Sequence, residues 1–273
     1  MIKLTIIDGK EIEYDDSDFA VLPIPEWHRC DNSTAYLHYI GHGRNPIKNP
    51  RGNTSCYRMF ADFSESYLNL SEFDTSGITN MHGMFKCCYN LSCIEIGDNF
   101  KKSHSVKYMG DMFRDCHLMD NDSFSNILKN LDTTNVIDMH GMFMYCSSVN
   151  HIDITHFNTS KVKDMSYMFY GCKNLRTINF SEHDESLKFD VKNAINMSHM
   201  FAKCNFLNEL NINSFKNLSN NIVTNIFLDD YELSAINLHL KNNNTAIISE
   251  FNKNCLNNIP EYLPGYITIK HEW

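Results

Sequence analysis

The sequence predicts an α/β solenoid, a stack of short parallel strands and one-turn helices capped at both ends. Three observations carry this. First, one phrase recurs: VKDMSYMFYGCKNL (162–175) returns as ITNMHGMFKCCYNL (78–91), VKYMGDMFRDCHLM (106–119), VIDMHGMFMYCSSV (136–149) and AINMSHMFAKCNFL (194–207). With an earlier copy at Met59-Phe60 and a worn one at IFLDDYEL (226–233), the anchoring Phe falls at 60, 85, 113, 143, 169, 201 and 227. The steps are 25, 28, 30, 26, 32 and 26 residues, a period that marks stacked repeats rather than a globular enzyme domain. Second, four of the five full copies open with [Asn/Asp]-Met-x-x-Met-Phe-x-x-Cys, Tyr108 taking the polar slot in the other. The polar residue reads as a helix N-cap, and Met, Met and Phe at i, i+3 and i+4 share one side of a helical turn. Third, five copies continue as apolar-x-x-apolar-x-apolar, as in Leu175/Ile178/Phe180, where the last two positions have strand spacing. A strand plus a short helix every ~20–30 residues is the leucine-rich-repeat pattern.

Read in order, residues 1–55 form an N-terminal cap or contact module, 56–240 the repeat stack, and 241–273 a C-terminal cap. The opening KLTII-DG-KEIEY is two alternating strands around Asp8-Gly9, a strong hairpin signal. A Pro-punctuated stretch, LPIPEW, and AYLHYIGHGRNPIKNPRGN follow. In the stack, parallel strands are expected at 92–97, 150–155, 176–181, 208–213 and 234–239. Insertions swell two copies, CHLMDNDSFSNILKNLDTTN after Asp115 and SEHDESLKFDVKN after Phe180. The tail reads as a short helix and a final strand at 266–270.

The phrases FDTSGITNMHGMF (73–85) and FNTSKVKDMSYMFYGCKNLRTINF (157–180) resemble the repeat of BspA-like leucine-rich-repeat proteins, many of which are described as surface proteins. The resemblance spans roughly Met59 to Leu240. It implies a curved scaffold that binds other proteins and carries no catalytic chemistry. The family's usual export leader is not evident in MIKLTIIDGKEIEY.

Five of the ten cysteines (88, 116, 146, 172 and 204) lie three residues after a repeat Phe, a slot held by Phe63 in the first copy and Asp230 in the last. Exchange with Phe marks apolar packing volume, so a reduced core ladder is expected. Equivalent side chains in a stack point the same way, which disfavours bridges between copies. The Met pairs read as core filling. His82, His140 and His199 are expected on a solvated outer face. The N-terminal segment holds one candidate zinc set, His28-x-Cys30 with His38-x3-His42, whose last pair would share a helix face. Gly41, Gly43 and Pro46 argue against that helix, and no metal or other cofactor is assigned. No glycine-rich phosphate loop, nucleophile elbow or paired-acid motif stands outside the repeat grammar, so no enzyme activity is expected.

A net charge of −9 argues against phosphate backbones as direct ligands and suits a protein partner with a basic surface. No run of 18 apolar residues predicts a membrane span. In such stacks the residues flanking the inward strand positions project from a concave face. Here they include Glu95, His151, Asp153, Asn179, Glu209, Asn211 and Asn237, an acidic and amide-rich set. Trp27, Tyr36 and Tyr39 are hot-spot residue types and form a second candidate contact. The sequence therefore predicts a non-catalytic protein-binding scaffold acting through its concave face in a cytoplasmic setting, an inhibitor or adaptor from a virus or mobile element. The alternative is an exported surface or adhesion protein.

Overall fold

The computed structural model describes residues 1–26, 31–180, 189–207, 209–211, 226, 235–239 and 269–270. Strands β1 (Ile2–Ile7) and β2 (Lys10–Asp15) form the expected antiparallel hairpin. Asp8 and Gly9 both have positive φ (50° and 80°), as a type I′ turn requires. Ile7 and Ile12 point into the core, whereas Ile2, Leu4 and Ile6 are exposed. A second antiparallel pair, β3 (Phe19–Pro23) and β4 (Ala35–Tyr39), leads the chain to the first repeat, where the Tyr39 amide donates to the Met59 carbonyl at 2.7 Å.

From there successive copies lie side by side. Parallel bridges run Ser55–Asn80–Tyr108–Asp138–Asp164–Asn196, one per copy. Around them the backbone pairing is regular. Amides of Met81, Gly83, Phe85 and Cys87 donate to carbonyls of Tyr108, Gly110, Met112 and Arg114 at 2.8–2.9 Å, and later copies repeat the scheme. The rings of Phe60, Phe85, Phe113, Phe143, Phe169 and Phe201 stack with centroids 5.4–6.0 Å apart and planes within 14°. Each of these rings is fully buried, as are the flanking Met columns.

The Met-Phe segments are not one-turn helices. Each is a run of overlapping β-turns: in the second copy Met84 N bonds Met81 O, Lys86 N bonds Gly83 O and Cys88 N bonds Phe85 O. The turns need a left-handed residue before the second Met and another before the Cys. Those twelve slots have φ between 46° and 71°, and only Gly83, Gly141 and Gly171 among them are glycine. A residue in the left-handed conformation breaks a right-handed helix, and the inter-copy bonds take the amides a helix would use internally. The polar residue before the first Met acts as an Asx cap of the turn rather than a helix N-cap. Asp164 Oδ1, for instance, accepts from Ser166 N at 2.9 Å.

Short parallel strands follow the turns: β5 (Tyr67–Leu70), β6 (Cys93–Ile96), β7 (His151–Asp153), β8 (Thr177–Asn179), β9 (Glu209–Asn211) and β10 (Ala235–His239). β11 (Ile269–Lys270) adds to β10 in parallel. Instead of one continuous sheet, β5 pairs with β6, β7 with β8, and β9 with β10. The first break is filled by the insertion after Asp115. It forms α1 (Asn121–Leu128), capped by Asp120, which packs against both β6 and β7 and buries Phe124, Ile127 and Leu128. His156 Nε2 donates to the Leu128 carbonyl at 2.6 Å and closes the helix C-terminus. The second break, between β8 and β9, coincides with the insertion after Phe180, of which residues 181–188 lie outside the described set. The expected helix of the tail lies outside it as well.

The cysteine ladder has more than apolar character. Sγ of Cys88, Cys116, Cys146, Cys172 and Cys204 each donates to the Phe carbonyl of the preceding copy at 3.0–3.1 Å. Phe63 opens the series, before any earlier Phe carbonyl is in place to receive such a bond. All five thiols are free and buried. Burial pushes Cys172 up to about 12, and Cys116 and Cys146 also rise well above the ordinary thiol range.

Three outcomes follow for stability. Thiol titration under denaturing, non-reducing conditions should find the five ladder cysteines free, and Cys146→Ser should lower the unfolding free energy by about 1–3 kcal/mol in urea melts. Phe143→Ala, which removes one ring from the stack, should cost about 3–5 kcal/mol. Gly171→Ala should cost about 1–2 kcal/mol from the left-handed backbone alone, and its Cβ would also lie 2.4 Å from Tyr145.

Candidate functional site

Among the described strand-side side chains, Glu95, His151 and Asp153 are occupied with their own neighbours. Glu95 is exposed but accepts from the Tyr67 hydroxyl on β5. His151 bonds Thr177 Oγ1 at 2.6 Å, and Asp153 Oδ1 accepts from both Thr155 N (3.0 Å) and Thr155 Oγ1 (2.8 Å). Asn179 is exposed on β8. Glu209 and Asn211 sit on β9 and pair in register with Ala235 and Asn237 of β10. Helix α1 separates Glu95 from His151, Asp153 and Asn179, so these residues do not share one uninterrupted sheet.

One expectation for the N-terminal segment is corrected, and the glycines and proline that argue against a helix through His42 agree with the strand found at His38. Tyr39 is buried, because strand alternation in β4 turns Leu37 and Tyr39 inward. Its ring packs on Phe19, Phe60 and Phe63, and its hydroxyl accepts from Gly43 N at 2.9 Å. His38 and His42 do not share a helix face, since His38 lies on a strand. His38 Nδ1 faces the Arg58 carbonyl at 3.3 Å, while His42 Nδ1 is 3.6 Å from Glu65. Tyr36 is half-buried against Tyr57. Trp27, His28 and Cys30 lie outside the described residues.

The uninterrupted surface is the opposite one, formed by the turns. Its variable slots stack in columns along the ladder, and two groups emerge. In the fourth to sixth copies, half-exposed Tyr145, Tyr167, Tyr170 and His199 gather: Tyr145 meets Tyr170 edge-on at 5.4 Å, Tyr167 meets Tyr170 at 5.5 Å, and Tyr167 stacks on His199 at 4.8 Å. The Lys203 ammonium lies 5.5 Å from the Tyr170 ring centre.

The second group spans the first four copies. Tyr57 stacks on His82 at 5.5 Å, and His82 meets His140 at 5.2 Å although a whole copy separates them. Asp111, 5% exposed, stands beside them. Its Oδ2 receives Lys86 at 2.6 Å and lies 3.5 Å from Arg114. Burial opposes ionisation of Asp111, but the Lys86 hydrogen bond and the two cationic neighbours hold its carboxyl below the usual range. Burial pushes the His82 imidazole down to about 4, and His140 acts in the same direction. For His140 burial works downward too, yet its bond to Asp138 (2.8 Å) and the nearby carboxylates raise it overall. These histidines lie on the outer turn face, as expected, but are half-buried there and in mutual contact. The sequence signal that marks them is a column reading His82, Gly110, His140: the middle glycine lets its neighbours meet.

The fold and this columned surface define a repeat protein in which recurring core slots alternate with variable surface slots. A family model described as a Mycoplasma protein of unknown function, DUF285, matches three times, over residues 54–123, 102–186 and 177–259. The chain belongs to that family. Nothing among curated proteins or solved structures matches it. Among the described residues, no helix is long and apolar enough to cross a membrane.

Proposed function

We propose that this chain is a non-catalytic protein-binding scaffold, an α/β solenoid related to the BspA-like leucine-rich-repeat proteins, acting inside the cell. The observation that carries the reading is the cluster of Tyr145, Tyr167 and Tyr170 on the turn surface. Tyrosine offers large contact area at low entropic cost, and here three such rings project from a backbone pinned by inter-copy hydrogen bonds. Glu95 and Asp153 are engaged locally and stand on either side of α1, which favours the turns over the strand side as the main contact. The net charge of −9 suits a basic partner surface, drawn in by long-range attraction. The buried, reduced thiol ladder supports an intracellular setting.

Affinity capture from the source organism, with Tyr167→Ala/Tyr170→Ala and Asp153→Lys/Glu209→Lys as comparison baits, tests this. The tyrosine pair should weaken binding of the captured partner by roughly thirtyfold, the equivalent of the ~2 kcal/mol hot-spot threshold. The charge reversal should slow association and flatten its salt dependence. A partner retained equally by the tyrosine variant would remove the turn surface from consideration.

A further inference from the structure

We propose that His82, Asp111 and His140 form a binding site for a divalent transition-metal ion of the zinc class, with Asp138 as the carboxylate that orients His140. One ligand atom from each of the three lies within 4.8 Å of the others. Two imidazoles and a carboxylate are a donor set that suits zinc and its neighbours and leaves a fourth position open. A tetrahedral zinc with bonds of ~2.0–2.1 Å holds its ligand atoms roughly 3.3 Å apart, so closing the site takes at most about 1.5 Å of side-chain movement.

Four features fit a ligand at this point. Asp111 is 95% shielded, yet its Oδ1 has no hydrogen-bond partner among the described residues, while Lys86 and Arg114 engage Oδ2. A buried carboxylate oxygen without a donor is unfavourable unless something receives its lone pair. His82 Nδ1 is likewise buried and unpartnered. His140 Nδ1 is bonded to Asp138 Oδ1 at 2.8 Å, which leaves Nε2 available, the carboxylate–histidine arrangement that accompanies metal ligation. Finally, the site exists because the intervening copy carries Gly110. A Cβ there would fall 2.6 Å from both Nδ1 and Cε1 of His140.

The charged neighbours are balanced. Lys86 and Arg114 offset Asp111 and Asp138, with Asp164 further along the ladder. An added dication therefore meets no net positive field, and Lys86 can keep Oδ2 while Oδ1 turns to the metal.

The test is Zn²⁺ titration of the chelator-treated full chain by calorimetry, with Mg²⁺ as the hard-cation comparator. One equivalent of Zn²⁺ should bind and Mg²⁺ should not compete. His140→Ala and Gly110→Ala should each weaken that equivalent by at least about tenfold, and Asp138→Asn by about tenfold. Gly110 does not have positive φ, so the alanine leaves the backbone unstrained, and circular dichroism checks that the fold is retained. Every variant keeps all ten cysteines, so zinc held by thiols would be common to all of them. Co²⁺ loaded in place of Zn²⁺ should give visible bands without thiolate charge transfer. Absence of a saturable equivalent, equal affinity in wild type and Gly110→Ala, or a thiolate band would each overturn the assignment.

Discussion

Every second amide of the Met-Phe turns bonds a carbonyl of the next copy, and the rest of the molecule depends on that pairing. It fixes the spacing between copies, and the spacing in turn brings the phenylalanine rings into contact in near-parallel planes. It also requires left-handed residues at two slots per copy. Nine of those twelve slots hold non-glycine residues, at a backbone cost of roughly 1–2 kcal/mol each. The stack of apolar columns offsets it. Strained turns and core packing are thus one cooperative arrangement, and neither is stable without the other.

The same pairing explains why cysteine recurs. From within its own copy the Phe carbonyl takes one turn bond, from the Cys amide at 3.1–3.4 Å, which leaves its second lone pair open. A thiol from the next copy approaches it at close to 3 Å and completes its coordination without bringing a strongly hydrated group into the core. Serine could donate as well but with a shorter reach and a greater desolvation cost. Selection for a weak donor of apolar character accounts for the slot better than volume alone.

Much of this was legible in the repeat. The register, the parallel strands, the hairpin at Asp8-Gly9 and the buried Met, Phe and Cys columns all follow from residue spacing. The turn geometry did not, because Met-x-x-Met-Phe fits a helical face as well as it fits chained turns. The glycines at 83, 141 and 171 are the available clue, obscured by Asp111, Tyr167 and His199 in the first slot and by Cys87, Asp115 and Tyr145 in the second. Helix α1 was hidden in an insertion whose Phe124, Ile127 and Leu128 spacing could have revealed it. The histidine group was missed because its members belong to different copies. Only a column-wise reading, with Gly110 between His82 and His140, brings them together. Tyr39 was misplaced for a simpler reason: hot-spot residue types are also core residue types, and strand alternation decides which role applies.

The turn side carries the phase of the stack, and the strand side does not. The 30-residue copy takes its extra length on the strand side, where α1 shows that a helix can stand in for a strand. Such a chain can lengthen, shorten or exchange copies by duplication without disturbing its neighbours, provided the turn segment stays whole. Diversification in this lineage is therefore expected as changes of segment length on one side and as residue-by-residue recoding of a fixed grid on the other.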